Sequence, residues 1–257
     1  MTIDSKQYKE ELRHGYDNAA PGWQKWWKTI ETATQEVCKR LVELAGIKPG
    51  SKVLDIATGI GEPALTAAKQ VGNTGHILAI DISPQMLSFA KERAISLGLQ
   101  EVVEFKEGDA ETIDLPFSTF DAALCRWGLM FLPNPKVGLS NIYKSLVKGG
   151  HFAAAVWASP ERVPFISVPM NIVLKETNSP PPRTLGPFSM SDQNNLNKFY
   201  EESGFNHIVI ERVNVVSFFD SSDVFTSFTI DHGGPALQKV LAGETNERRQ
   251  QIEKAIS

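Results

Sequence analysis

The sequence predicts an α/β fold built on a doubly wound, mostly parallel sheet. Three observations predict it. Val53-Leu54-Asp55-Ile56-Ala57-Thr58-Gly59-Ile60-Gly61-Glu62-Pro63 reads as a buried strand, a glycine turn and a helix start. Ile77-Leu78-Ala79-Ile80 is a second short apolar run and ends in Asp81. Around these, apolar runs alternate with segments of helical period as far as Trp157, the rhythm of strand–helix–strand units.

Taken in order, residues 1–31 are a polar and aromatic preface, with Tyr16, then Trp23, Trp26 and Trp27 close together. Two readings stand side by side: indoles packing on the domain, or a lid that keeps water from a pocket. Residues 32–45 have helical spacing (Val37, Leu41, Val42, Leu44), with Gly46 as the stop. In the first strand-turn-helix unit, Gly59 and Gly61 permit positive φ and close approach of a ligand. Pro63 suits a first helical turn, and Gly72 ends that helix. After Asp81, Ser83 reads as an N-cap and Pro84 as the first helical residue; Gly98 closes this helix. Val102–Phe105 is the third strand and leads into Glu107-Gly108-Asp109-Ala110-Glu111.

Phe120–Trp127 is the fourth strand, a helix spans Pro135 to Lys148, and His151–Trp157 is the fifth strand after Gly149-Gly150. Pro160, Pro164, Pro169, Pro180, Pro181, Pro182 and Pro187 then crowd one segment. They argue against a long regular helix over 178–188, and 159–190 is long for a plain connection. Ser191–Ser203 reads as a helix capped by Ser191, and Ile208 to Phe218 as a long strand. Residues 219–257 hold only helix-like sequence, so the expectation is a sheet one strand short or a last antiparallel strand removed. The chain divides as one domain over 1–257: an N-terminal cap (1–31), a ligand-binding core (32–158), a lid insertion and helix (159–205), and a C-terminal strand and helices (206–257).

Composition narrows the function. The 257 residues are 42% hydrophobic and 22% charged, with a formal net charge of −4, ordinary for a globular protein. That balance opposes a broad basic face for nucleic acid. No apolar run approaches the ~20 residues of a membrane span, so no stable membrane insertion is expected. Cys38 and Cys125 make no disulfide framework, and no Cys/His cluster has metal spacing. The cytoplasm is the default compartment, and a monomer or homodimer the expected state.

The ligand is read from carboxylates. Asp81, about 20 residues past the glycine loop, is placed to accept from ribose hydroxyls. Gly59-Ile60-Gly61-Glu62-Pro63-Ala64 also fits a dinucleotide fingerprint. Asp55 discriminates: a carboxylate inside an apolar strand is costly unless paired. A pyrophosphate loop has no use for it, whereas a ligand bearing an ammonium group does. Val53–Gly61 resembles motif I of the class I S-adenosylmethionine-dependent methyltransferases, with Ala57 where the family has its first glycine. Gly108-Asp109-Ala110 resembles the family's adenine-reading loop. Asp114–Phe117 points toward the ubiquinone/menaquinone C-methyltransferase branch. The resemblance implies a Rossmann-like fold, S-adenosyl-L-methionine as cofactor with S-adenosyl-L-homocysteine as product, and in-line methyl transfer to a small-molecule acceptor.

By the same resemblance the donor residues are Asp55, Ala57, Gly59, Gly61, Asp81, Asp109 and Ala110. Ile82 and Met86 either lean on adenine or pack in the core. Arg126 could meet the donor's carboxylate or the acceptor. Tyr16, Trp23, Trp127 and Met130 are candidates for the acceptor side, while Tyr16, His14 and His232 are loose candidates for a base. Two rivals remain: an NAD-dependent oxidoreductase, which leaves Asp55 and Gly108-Asp109-Ala110 unexplained, and a non-catalytic adenosyl-ligand-binding protein.

Overall fold

A computed structural model describes residues 4–180 and 185–257. The first helix, α1 (Ser5–Leu44), is 40 residues long and runs through Pro21. The sequence suggested a preface and a separate helix from residue 32; the structure joins them. Proline removes one helical bond and crowds the turn before it. Packing outweighs that cost here, because Ala19, Ala20, Ile30, Val37 and Leu41 are all buried along the helix. The Asp4 carboxylate caps its start, accepting from the Lys6 and Gln7 N–H groups.

β1 (Lys52–Ile56), β2 (His76–Asp81), β3 (Val103–Glu107), β4 (Phe120–Arg126) and β5 (Leu146–Ala155) form one sheet in the order β3-β2-β1-β4-β5. Every pair is parallel. The strand order reverses at β1 and β4, which opens a crevice beyond their carboxyl ends. α2 (Ala64–Val71), α3 (Pro84–Ser96) and α4 (Pro135–Ser145) cover the faces. Val53, Leu65, Ile77 and Leu124 fill one layer with Val37 and Leu41 of α1. Leu54, Ile56, Ile80, Leu139 and Ile142 fill the other. Alternation along β1 thus sends successive side chains to opposite layers, and Asp55 falls on the side of Val53.

α4 ends earlier and β5 begins earlier than expected. Pairing with β4 jumps from Phe120–Leu146 to Ala122–His151. Gly149-Gly150, expected as the helix stop, sits in that irregularity, where extra residues are absorbed as a bulge.

Beyond β5 come α5 (Pro164–Glu176), with Pro164 in its first turn, and α6 (Gln193–Glu202), capped by Asp192 rather than Ser191. Pro181 and Pro182 lie outside the described residues. The strand expected over 208–218 does not form. Among the described residues, 206–219 pair with no strand. They face the outer edge of β5 across a cleft of about 1460 Å³. Without a neighbour to complete its ladder a strand cannot satisfy its backbone, and Val209 and Phe218 remain 77% and 88% exposed. α7 (Ser222–His232), α8 (Pro235–Ala242) and α9 (Asn246–Ile256) complete the described chain. With α5 they enclose Val173, Leu241, Ile252 and Ile256, and α1 packs on α7 and α8. No described helix is long and apolar enough to cross a membrane.

Candidate active site at the carboxyl edge of the sheet

The glycine loop leaves β1 through three left-handed residues. Ala57, Gly59 and Gly61 are left-handed, at φ 56°, 57° and 102°, and Trp127 at the end of β4 is left-handed too, at 59°. At Gly61 a Cβ would also stand 2.8 Å from Leu65 Cδ1, so conformation and space both require glycine. Ala57 adopts the same region with a side chain, at a cost of roughly 1–2 kcal/mol. Its Cβ faces Gly128, where an added Cβ would lie only 2.4 Å away. The chain therefore keeps its small residue opposite, where the methyl needs room.

Three carboxylates stand at the strand ends. Asp55 is fully buried. Its Oδ2 accepts from the Ala64 N–H at 3.1 Å, while its Oδ1 has no partner. Burial pushes its pKa up to about 7, against the neighbouring Thr58 hydroxyl, the Ala64 hydrogen bond and the Arg126 charge. Asp81 accepts from Gly59 N–H at 2.7 Å and Ser83 N–H at 2.9 Å. Burial pushes it up to about 6. Both of its oxygens keep lone pairs for a ligand. Asp109 accepts from Glu111 N–H at 2.9 Å and from Lys9 Nζ at 2.7 Å, and Ala110 beside it is buried. Lys9 reaches Glu111 as well, at 2.6 Å.

Helix α1 covers this edge. Lys9 sits on the Asp109 loop. Tyr16 stands edge-on to Phe131, 5.9 Å between ring centroids. Asp17 accepts from the Ser83 hydroxyl at 2.6 Å and the Gln85 N–H at 3.3 Å. Trp23 and Trp27 close over Ala20, Ile60 and Met86. The aromatic preface thus packs on the domain, over the loop that follows β1. Met86 is buried beneath it, and Ile82 half-buried at its edge. Of the loose base candidates, Tyr16 is half-buried, and desolvation, with the Asp81 charge, pushes its phenol well up. His14 is exposed. His232 is packed between Trp23 and Phe228, and burial pulls it down to about 4.

Arg126 turns toward α1. Its Nη1 donates to Thr34 Oγ1 at 2.6 Å and Cys38 Sγ at 3.2 Å. Its Nε is buried without a partner, as is the Thr58 hydroxyl. Trp127 stacks on Trp157, 4.2 Å apart and 9° from parallel. Met130, expected at the acceptor side, is 1% exposed in the core layer with Leu139 and Ile142; the short turn after Gly128 points it inward. Lys9 and Glu111 were not foreseen, because nothing local marks a contact spanning 102 residues. The large cleft beside β5 is lined by Trp127 and Trp157 but by none of the three site carboxylates. Among the described residues no His, Cys, Asp and Glu side chains converge as a metal site.

A family model described as a methyltransferase domain matches residues 47–204, more than half of the chain. The chain belongs to the class I S-adenosylmethionine-dependent methyltransferases. It is 35% identical over 112 residues to the ubiquinone/menaquinone biosynthesis C-methyltransferase UbiE of Hydrogenovibrio crunogenus, covering 44% of each chain. The fold matches a SAM-dependent methyltransferase from Aquifex aeolicus (TM-score 0.50, 23% identity, 65% of this chain and 78% of that one). It also matches YcgJ from Bacillus subtilis (TM-score 0.59, 18% identity, 84% and 88%). The chain spans 44% to 64% of the length of the curated relatives it matches.

The family's donor is S-adenosylmethionine and its product S-adenosylhomocysteine, and the oxidoreductase reading falls away. The residues present fit that donor. Beside the glycine loop one oxygen of Asp55 and Arg126 Nε are buried without partners among the described residues. Buried polar groups are ordinarily satisfied, and an amino-acid end bearing both charges is the kind of group that would satisfy these.

Proposed function

We propose that this methyltransferase methylates a small-molecule acceptor by in-line displacement, with the donor lying over the glycine loop. The observation that carries the proposal is the set of unpartnered polar atoms around Asp55. When bound, the donor supplies an electrophilic methyl on a sulfonium. Asp55 would hold its ammonium group, Arg126 Nε its carboxylate, and Asp81 its ribose hydroxyls, with Ala57, Gly59 and Gly61 allowing the close approach. Asp109 and Ala110 would read the adenine, with Ile82 and Met86 along its face. Tyr16, Trp23 and Trp127 would wall the acceptor side. Their work is alignment, which can contribute about 7–11 kcal/mol in well-oriented reactions, and exclusion of water by α1. A net charge of −4 suits a free small molecule better than nucleic acid. The relatives' name, ubiquinone/menaquinone biosynthesis C-methyltransferase, makes carbon atoms of quinone-like ring compounds the first acceptors to try.

Calorimetric titration with S-adenosylmethionine and S-adenosylhomocysteine tests the site, with NAD as control. Micromolar binding of the adenosyl ligands, weakened by Asp81→Ala, is expected. Binding untouched by Asp81→Ala would refute the assignment. Transfer of labelled methyl to candidate ring compounds then tests the acceptor class.

A further inference from the structure

Arg93 lies on α3, outside the residues assigned above, yet it grips the centre of the glycine loop. Its side chain is only 11% exposed. Its Nη1 donates to the carbonyl oxygen of Ile60, between Gly59 and Gly61, at 2.7 Å. Its Nη2 donates to Glu62 Oε1 and Glu31 Oε1, both at 3.3 Å. The guanidinium carbon lies 4.9 Å from the centroid of the Trp27 ring. Glu62 is buried, and its second oxygen accepts from the Thr66 hydroxyl at 2.6 Å. That hydroxyl in turn accepts from Gln35 on α1 at 3.3 Å. One guanidinium therefore joins the loop, the start of α2 and two residues of the covering helix.

Glycine-flanked backbone is permissive and loses much entropy when ordered. A ligand binding to an unclamped loop would have to supply that order itself. Ile60 is clamped from both ends. Its side chain packs under the lid with Ala20, Trp23 and Trp27, and its carbonyl is held by Arg93. We propose that Arg93 is a positioning residue for the donor site, fixing the Ile60 carbonyl and seating α1 against the loop. The proposal rests on the donor lying over that loop. A planar fork can serve the carbonyl, both carboxylates and the Trp27 face together; a lysine ammonium cannot.

The test compares S-adenosylhomocysteine affinity in Arg93→Met, Arg93→Lys and Asp81→Ala, each at a temperature where circular dichroism shows the variant folded. Arg93→Met should weaken binding about tenfold or more, as expected for loss of a charge-assisted hydrogen bond that orders the site. Arg93→Lys should weaken it too, despite keeping the charge. Affinity within about twofold of wild type, even with a lowered melting temperature, would assign Arg93 to stability alone and overturn the proposal. If Arg93→Met fails to fold, Arg93→Lys decides by the same criterion. Unchanged binding in Asp81→Ala would instead remove the donor-site reading beneath it. Weakening there alone would sink only the role of Arg93.

Discussion

Asp55 shows how much one residue can say about a ligand. In sequence it was an oddity, a carboxylate in an apolar run. In the structure it is fully buried with one oxygen unpartnered, and burial raises its pKa to about 7. An ammonium group placed beside it favours the ionised form and lowers that pKa, so donor binding below pH 7 should expel a proton. At pH 6 Asp55 begins mostly protonated, and its release should approach about one proton per ligand. Near pH 8.5 it begins ionised, and the release should vanish. Titrations in buffers of different ionisation heat measure this directly. Asp55→Asn should reduce the release at pH 6; Asp81, raised to about 6, supplies the remainder. Release unaffected by Asp55→Asn would mean the ammonium lies elsewhere. Met130 makes the opposite point. Its place at a strand end suggested exposure to a pocket, but one turn of backbone, invisible in residue type, sends it into the core.

At the scale of elements, α1 is where sequence reading was half sufficient. Its aromatic residues announced a covering role, and the structure bears out contact with Ile60, Met86 and Phe131. Its continuity through Pro21 was illegible, because propensity argues for a break and only long-range packing on α7 and α8 overrides it. The strand-turn-helix units between β1 and β4 were legible for the converse reason: local glycine, proline and capping signals agree with the tertiary fold there. Lys9, paired with Asp109 and Glu111, ties the first turns of α1 to the loop after β3. The Glu111 side chain is only 3% exposed, so losing its cation leaves a buried carboxylate less well paired. Lys9→Met should cost on the order of 1–3 kcal/mol in urea denaturation. Amide exchange in residues 5–17 should accelerate while β1 stays protected. Equal acceleration in both would show that Lys9 supports the whole domain and not the lid alone.

For the whole molecule, the decisive fact is the asymmetry of its sheet. The β3-β2-β1-β4 side was readable because each strand is a short apolar run flanked by a helix that covers it. The far side was not. Residues 208–218 have the alternating composition of a strand, but a strand is defined by its neighbours, and composition names none. Among the described residues β5 pairs only with β4, and 206–219 faces its open edge across the cleft without a ladder. Val213, Val216 and Phe218 are left exposed. Stability should therefore fall steeply across the molecule. The amides of β1 and β4, paired on both sides and buried in two apolar layers, should exchange only through global unfolding. Those of 206–219 should exchange within the shortest labelling time. Because the three carboxylates stand at the ends of β1 and β2 and after β3, the donor site proposed above belongs to the stable half. Adding S-adenosylhomocysteine should slow exchange in the glycine loop and α1 and leave 206–219 unchanged. Protection of 206–219 equal to that of β1 before any ligand is added would mean that this segment pairs in solution, and the five-stranded sheet would have to be redrawn.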